Sequence, residues 1–401
     1  MMTIIEPSLN TPNVIASIRA LEKTLGLTQQ DITTALEIPE SKKYHVKQVP
    51  KQNGELRSVY RPHPLIRRAQ RRINNNIFKE IVLWPSYIFG SLPNTINKNN
   101  EVERKDYISC AAQHCGAKSL LKMDIKDFFD NIHIDHVRSM FIHFFKCGDD
   151  VADILAKLCC KENHVVQGGL TSSYIACLIL WNIEHKLVNR LARKNLTYTR
   201  LMDDITVSSK ISNFDFSMTT NLIANMLQEL DLPINTSKTK VCHLSTEPLT
   251  VHGVRVNFKE PRFPSNEVKR IRASVHNLTI LASQPGYRLT HDYRSDYARC
   301  MGRVNKLKRV NHEKHKEFLV ILQKILPLPS VRDKKRAKQM FIRLIKDYRI
   351  KYKTKGYRTR YFRLQERLNV LSRKKDYLNF TKYIRKKLKN IKPDEHSKTD
   401  F

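Results

Sequence analysis

The sequence predicts an α+β fold, and three observations carry that prediction. Short strand-like runs alternate with helical ones through the middle of the chain. A purely helical stretch follows, and the last part is helical and strongly basic. At 401 residues the chain is too long for one ordinary domain and suggests two or three. Its 41% hydrophobic residues supply real cores and exclude wholesale disorder.

The elements follow in order. Helical patterns open the chain and run to about Ile38. From Tyr44 to Pro62, alternating residues flank Asn53-Gly54, the strongest short hairpin signal. A basic helix with Arg67, Arg68, Arg71 and Arg72 is expected from Pro64 to about Leu83. Ser119 to Asp124 is an apolar strand ending in a carboxylate. Thr171 to about Arg193, after Gly168-Gly169, is expected as one apolar helix. Two short strands surround Met202-Asp203-Asp204, between Thr197 and Ser208. Phe214 to Leu230 is a helix, and Val241 and Val251 to Val256 are further short strands. Pro264 to Leu326 is helical. Beyond the Pro327-Leu328-Pro329-Ser330 break, Met340, Phe341, Leu344, Ile345 and Tyr348 recur at helical spacing, as do Tyr361, Leu364, Leu368 and Leu371. No internal repeat is visible.

Charge narrows the partner. With Lys+Arg 72 against Asp+Glu 38, the formal net charge is +34. A polyanion is implied; nucleic acid is the commonest, and a membrane surface is the rival. Residues 331–401 hold 25 Lys/Arg and 7 Asp/Glu, a net of +18, which is more than half of the excess. No segment approaches the about 18 apolar residues of a spanning helix. The N-terminus has neither the basic nor the apolar region of a secretory signal, so a cytoplasmic location without a membrane partner is expected. The eight cysteines include no CxxC pair and are expected as reduced, mostly buried thiols.

Two peptides carry chemistry: LLKMDIKDFFDNI, with Asp124, and YTRLMDDITVSS, with Asp203-Asp204 at a tight turn. Adjacent carboxylates in an apolar hairpin repel each other, and burial raises the cost. A divalent cation would offset it. Asp124 and Asp203 together could bridge two Mg²⁺ ions about 3.5–4 Å apart, the arrangement that serves in-line phosphoryl displacement. For either peptide alone, a solvated Asp-Asp turn is the more ordinary reading; the pair favours the metal site.

With those peptides the chain resembles bacterial reverse transcriptases of the retron type and the related defence-associated enzymes. LKMDIKDFF is similar to their motif A and LMDD, from Leu201 to Asp204, to their motif C. QGGLTSS, from Gln167 to Ser173, resembles motif B, and LPINTSKTKV, with Lys238, resembles motif D. VHGVRVN, from Val251, resembles the hairpin that follows, and VPKQNGELRSVYRP the fingers motifs. Ordered motifs covering roughly residues 40 to 260 are far more specific than any one alone.

The resemblance implies a right-hand polymerase: N-terminal helices and fingers over 1–118, a palm with an antiparallel catalytic sheet over 119–260, and a helical thumb over 261–326. A basic helical RNA-binding extension follows over 327–401. It implies RNA-directed DNA synthesis with two Mg²⁺ ions, Mn²⁺ being an alternative, held at Asp124, Ile125, Asp203 and Asp204. Lys238 is implied as general acid, with Lys240 as its rival. Lys51, Arg57, Asp127, Phe128, Phe129, Gln167 and Gly168 are implied to bind the dNTP, Phe129 as the ring that excludes a ribose 2′-hydroxyl. His114 and His252, the helical Lys269, Arg270, Arg303 and Lys306, and Arg358 and Arg360 in the tail are implied to contact RNA. The implied partners are a structured non-coding RNA template, dNTPs and the DNA product, with an effector protein or a second copy left open. The implied setting is antiviral defence.

Several positions depart from the family pattern. Leu201 stands where most relatives have Tyr, and Leu170 and Ser173 where prolines are usual. Cys110-Ala111-Ala112-Gln113-His114 replaces Asn-Ala-x-x-His, and Val251-His252-Gly253 replaces Val-Thr-Gly. They keep open template-independent, repeat-type or protein-primed synthesis, and a non-catalytic RNA-binding scaffold with a palm fold.

Overall fold

The computed structural model describes residues 6–10, 15–50, 54–96, 100 and 102–393. It divides into two compact units, residues 1–262 and 263–401.

The first unit is built on a five-stranded sheet. Its strands run, edge to edge, Lys240–His243, Ser119–Asp124, Asp204–Ser209, Thr197–Leu201 and Ile88–Phe89. The first four are antiparallel, and Ile88–Phe89 joins in parallel. Leu120 and Leu121 point to opposite faces and both are buried, so the Asp124 strand is covered on both sides. That explains its unbroken apolar run. The separate hairpin pairs Tyr44–Pro50 with Leu56–Pro62, from Tyr44 opposite Pro62 to Pro50 opposite Leu56. In its turn Gly54 takes φ +86°, as the Asn-Gly signal requires.

Two expected helices differ. The basic helix covers Pro64–Ile73, continues through one π-helical turn at Asn74–Phe78 and then stops. The N-terminal residues intercept it: Val82–Leu83 pairs with Ser8–Leu9, and Asn10 N donates to Ile81 O at 2.8 Å. The helix expected from Thr171 to Arg193 is two, Ser172–Leu178 and Glu184–Ala192. Where it breaks, the Ala176 and Cys177 carbonyls each accept from the buried Arg200 guanidinium at 2.9 Å. A side chain distant in sequence thus satisfies carbonyls that a continuous helix would satisfy itself.

The second unit is helical: Ser265–Ser283, His291–Arg309, Lys314–Lys324, Val331–Lys351, Lys355–Leu371 and Leu378–Leu388. Tyr361, Leu364, Leu368 and Leu371 are buried, as their spacing predicts, whereas Ile345 is 48% exposed. Asp333 ties this unit together. It forms a capping box with Ser330 at the start of Val331–Lys351 and accepts from Arg294 Nη1 at 2.7 Å and Arg367 Nη1 at 3.0 Å. All eight cysteines are free and seven are buried. No helix among the described residues is long and apolar enough to cross a membrane.

Candidate active site

The strand register assembles the acidic corner. Asp204 lies directly opposite Asp124, and Thr206 opposite Lys122. These four share one face of the sheet because strand side chains alternate. With Lys238 and His252 they line a cavity of about 300 Å³. Asp203 sits in the turn between strands, after Met202 at φ +60°. Its carbonyl accepts from Ile125 N at 3.0 Å, which stitches the turn to the end of the Asp124 strand.

Asp124 is buried, and both its oxygens are engaged. Asn235 Nδ2 donates to Oδ1 at 3.0 Å, and Lys238 Nζ to Oδ2 at 2.9 Å. That hydrogen bond to Asp124 pushes the Lys238 pKa up. Burial pushes the Asp203 carboxyl up, and Asp124 adds to it. Asp204, although its side chain is half exposed, is pushed up to about 6, by partial desolvation first and then by Asp203 and Asp124. Lys238 and Lys122 both oppose the rise at Asp204 without cancelling it, so the three carboxylates remain under-neutralised.

Among the described residues, no three His, Cys, Asp or Glu side chains converge into a ready-made metal cage. The donors do suit Mg²⁺, which is held by hard oxygens, commonly one or two carboxylates completed by substrate phosphates and water. Burial first and repulsion between carboxylates second raise these acids, and a divalent cation would offset both. Asp124, Asp203 and Asp204 would hold it with their carboxylates, and Ile125, whose side chain is core, would offer only its backbone carbonyl.

A polar layer lies beneath Asp204. His114 is 1% exposed, with Nδ1 2.8 Å from Ser208 Oγ and Nε2 2.7 Å from Thr199 Oγ1. Burial lowers its pKa to about 3. Both ring nitrogens of His114, expected as an RNA contact, are used inside the fold. His252, at φ +47°, has Nδ1 3.7 Å from Asp204 Oδ2 and Nε2 3.6 Å from Cys110 Sγ. Burial lowers its pKa to about 4, so it is neutral at pH 7. Its neighbour in this structure is the acidic corner.

Phe128 is buried, while Phe129 is half-buried, with ring centroids 6.1 Å apart. Asp127 is exposed at φ +44°. Gln167 O accepts from Tyr60 N at 2.8 Å, and a Cβ on Gly168 would lie 2.3 Å from Tyr60 O. The Gln167–Gly168 backbone therefore packs against the Leu56–Pro62 strand. Arg57 is exposed on that strand, opposite Val49; Lys51 lies outside the described residues.

In the second unit, Arg270, Arg303 and Lys306 line a groove of about 610 Å³ between Ser265–Ser283 and His291–Arg309. Lys269 is exposed on the first of these helices. Arg303 Nη1 donates to Ser274 Oγ at 3.1 Å. Arg358 lies 5.8 Å from the Phe362 ring centroid, and Arg360 pairs with Asp347 at 2.8 Å.

Sequence reasoning missed Asn235, Lys122 and the Arg200–Glu184 pair. Asn235 had a signal, three residues before Lys238 in the same peptide. Lys122 also had one, being in phase with Asp124 on its strand.

Residues 49–291 match the family described as reverse transcriptase (RNA-dependent DNA polymerase). The chain is 46% identical to the retron Ec48 reverse transcriptase of Escherichia coli, over 94% of this chain and 93% of that protein. It is 31% identical to the retron Se72 reverse transcriptase of Salmonella heidelberg, over 78% of this chain and 80% of that one. Among solved structures, a telomerase from Candida albicans aligns with 90% of this chain and 68% of its own, at 10% identity and a TM-score of 0.40. The chain belongs to the reverse transcriptase family and, within it, to the bacterial retron-type members.

Proposed function

We propose that this protein synthesises DNA from dNTPs on a bound non-coding RNA, in bacterial antiviral defence. The observation that carries this reading is the acidic corner. Asp124 and Asp204 stand in register at the end of the paired central strands, and Asp203 is held in the turn by Ile125 N. Residues 119–260 act as palm, 1–118 as N-terminal helices and fingers, 261–326 as thumb and 327–401 as the basic extension.

Asp124, Asp203 and Asp204 hold the divalent cations. When bound, those ions lower the pKa of the attacking hydroxyl and screen the leaving pyrophosphate. Lys238 already reaches the corner and is charged at neutral pH, so it can give a proton to the leaving group. Phe129, half-buried beside the buried Phe128, presents a ring against a ribose 2′-hydroxyl. Arg57, with Lys51, grips the triphosphate by charge-assisted bonds. The Asp127–Phe129 backbone and the Gln167–Gly168 segment complete the nucleotide site. The exposed cations of 263–393 follow phosphates without reading sequence, so their contribution falls with salt.

The test is incorporation of labelled dTTP on poly(rA) primed with oligo(dT), in Mg²⁺, by the native protein and by Asp203→Ala. Product from the native chain alone supports the reading. No product from the native chain contradicts it and favours a scaffold. Efficient use of UTP would remove the role given to Phe129.

A further inference from the structure

We propose that Arg200 is a positioning residue for the carboxylate turn, fixing Met202, and through it Asp203, to the helix that follows the Gln167–Gly168 segment. The inference rests on the polymerase reading above and adds to it the device that holds the acidic corner in place.

Arg200 lies three residues before Asp203 and is fully buried. All five of its N–H donors are used. Nε donates to Glu184 Oε1 at 2.6 Å and Nη2 to Glu184 Oε2 at 2.7 Å, a bidentate pair. Nη2 also reaches Cys177 O at 2.9 Å. Nη1 reaches Ala176 O at 2.9 Å and Met202 O at 3.1 Å. Glu184 is buried as well, and Tyr198 Oη donates to it at 2.7 Å.

A buried ion pair is a costly way to fill a core, and apolar side chains of similar volume often do as well or better. The bond to Met202 O gives this pair a task that apolar filling lacks. Met202 sits at φ +60°, a conformation unfavourable for a side chain of its size. Such backbone persists where its surroundings over-determine it. Three contacts do so here. Arg200 takes the Met202 carbonyl, Ile125 N takes the Asp203 carbonyl at 3.0 Å, and the Met202 side chain fills the space over Gly90. A Cβ at Gly90 would stand 2.8 Å from Met202 Sδ.

The other carbonyls on Arg200 come from Ser172–Leu178, at the break before Glu184–Ala192. One guanidinium therefore ties the helix after Gln167–Gly168 to the turn that carries Asp203. Lysine has three donors and no planar fork, so it cannot hold these groups at once.

The test uses the full chain in two variants. Arg200→Met with Glu184→Met removes both charges together, so no buried charge is left alone; Arg200→Lys keeps the charge and loses the fork. Each is followed by cooperative thermal unfolding, by kcat and KM for dTTP on oligo(dT)-primed poly(rA), and by Mn²⁺ binding to nucleic-acid-free protein in electron paramagnetic resonance. The expected double variant unfolds cooperatively and loses about 100-fold in kcat, with KM within about threefold and weaker Mn²⁺ binding. Arg200→Lys shows the same pattern, smaller. A folded double variant with native kcat and native Mn²⁺ affinity overturns the inference, as does a loss confined to KM. If the double variant does not fold, Arg200→Lys decides by the same criteria. A native chain that incorporates no dTTP refutes the polymerase reading instead, and the Mn²⁺ arm then decides the positioning role alone.

Discussion

In a chain of net charge +34, the carboxylates of two regions meet opposite treatment. Asp333, in the helical unit, is enclosed by Arg294, Arg367 and the Ser330 cap. Burial opposes its charge, but the hydrogen bond from Arg294 and the cap hold its pKa well below the ordinary 3.8. Asp203 and Asp204, at the end of the central sheet, are raised by burial and then by neighbouring carboxylates, Asp124 for Asp203 and both Asp203 and Asp124 for Asp204, although Lys238 and Lys122 stand nearby. Cations are abundant, so the fold could have neutralised both places. It neutralised the one that joins helices and left the other with a deficit for a ligand to fill.

The largest effect that sharpens this contrast is at the sheet. Asp203→Ala should lower dTTP incorporation by roughly 1000-fold or more. Its melting temperature without divalent cations should hold or rise, because a like charge is gone. A parallel loss of activity and stability would erase the contrast.

Asp333→Ala should do the reverse. It strands Arg294 and Arg367 and removes a capping box, which costs about 3–5 kcal/mol. Faster hydrogen exchange in 263–393 would record it; unchanged exchange would mean that Asp333 is not the tie described.

Acid separates the two places by sign. The folded pKa of Asp333 is depressed, so its contribution is present above the ordinary 3.8 and is lost as pH falls below it. That of Asp204 is raised to about 6, so stability is full below 3.8 and is lost as pH rises toward 6. Without divalent cations, Asp333→Asn should therefore be less stable than native at pH 7 and converge on it in strong acid. Asp204→Asn should be the more stable at pH 7 and lose that advantage below pH 3.8. Denaturant melts across this range check both directions.

The smallest effect contrasts Arg360, which pairs with Asp347, with Arg358, which has no acidic partner among the described residues. Arg358→Gln should reduce the salt dependence of binding to an RNA hairpin by about one charge, and Arg360→Gln, already paired with Asp347, by less. Filter binding at several salt concentrations measures both.

Local patterns made much of this legible. Asn53-Gly54 announced the hairpin, the 3- and 4-residue spacing announced the buried face of 361–371, and the two acidic peptides announced the corner. Hidden were contacts between residues far apart in sequence. Arg200 and Glu184 are separated by 15 residues yet decide where a helix breaks. The N-terminal residues stop the basic helix by pairing with Val82–Leu83, and the lack of a Cβ at Gly168 leaves room for the Tyr60 backbone. His114 reads as an RNA contact in its motif because burial is a property of the fold. Neither its motif nor its spacing reveals that Ser208 and Thr199 take both ring nitrogens.

On the proposed reading, the under-neutralised acidic corner is completed by a divalent cation. The direct measurement is the melting temperature of nucleic-acid-free protein against Mg²⁺ concentration, for native, Asp124→Asn and Asp333→Asn. The melting temperature should rise with Mg²⁺ in the native chain and in Asp333→Asn, and stay level in Asp124→Asn. An equal rise in Asp124→Asn, or no rise in the native chain, would contradict that reading.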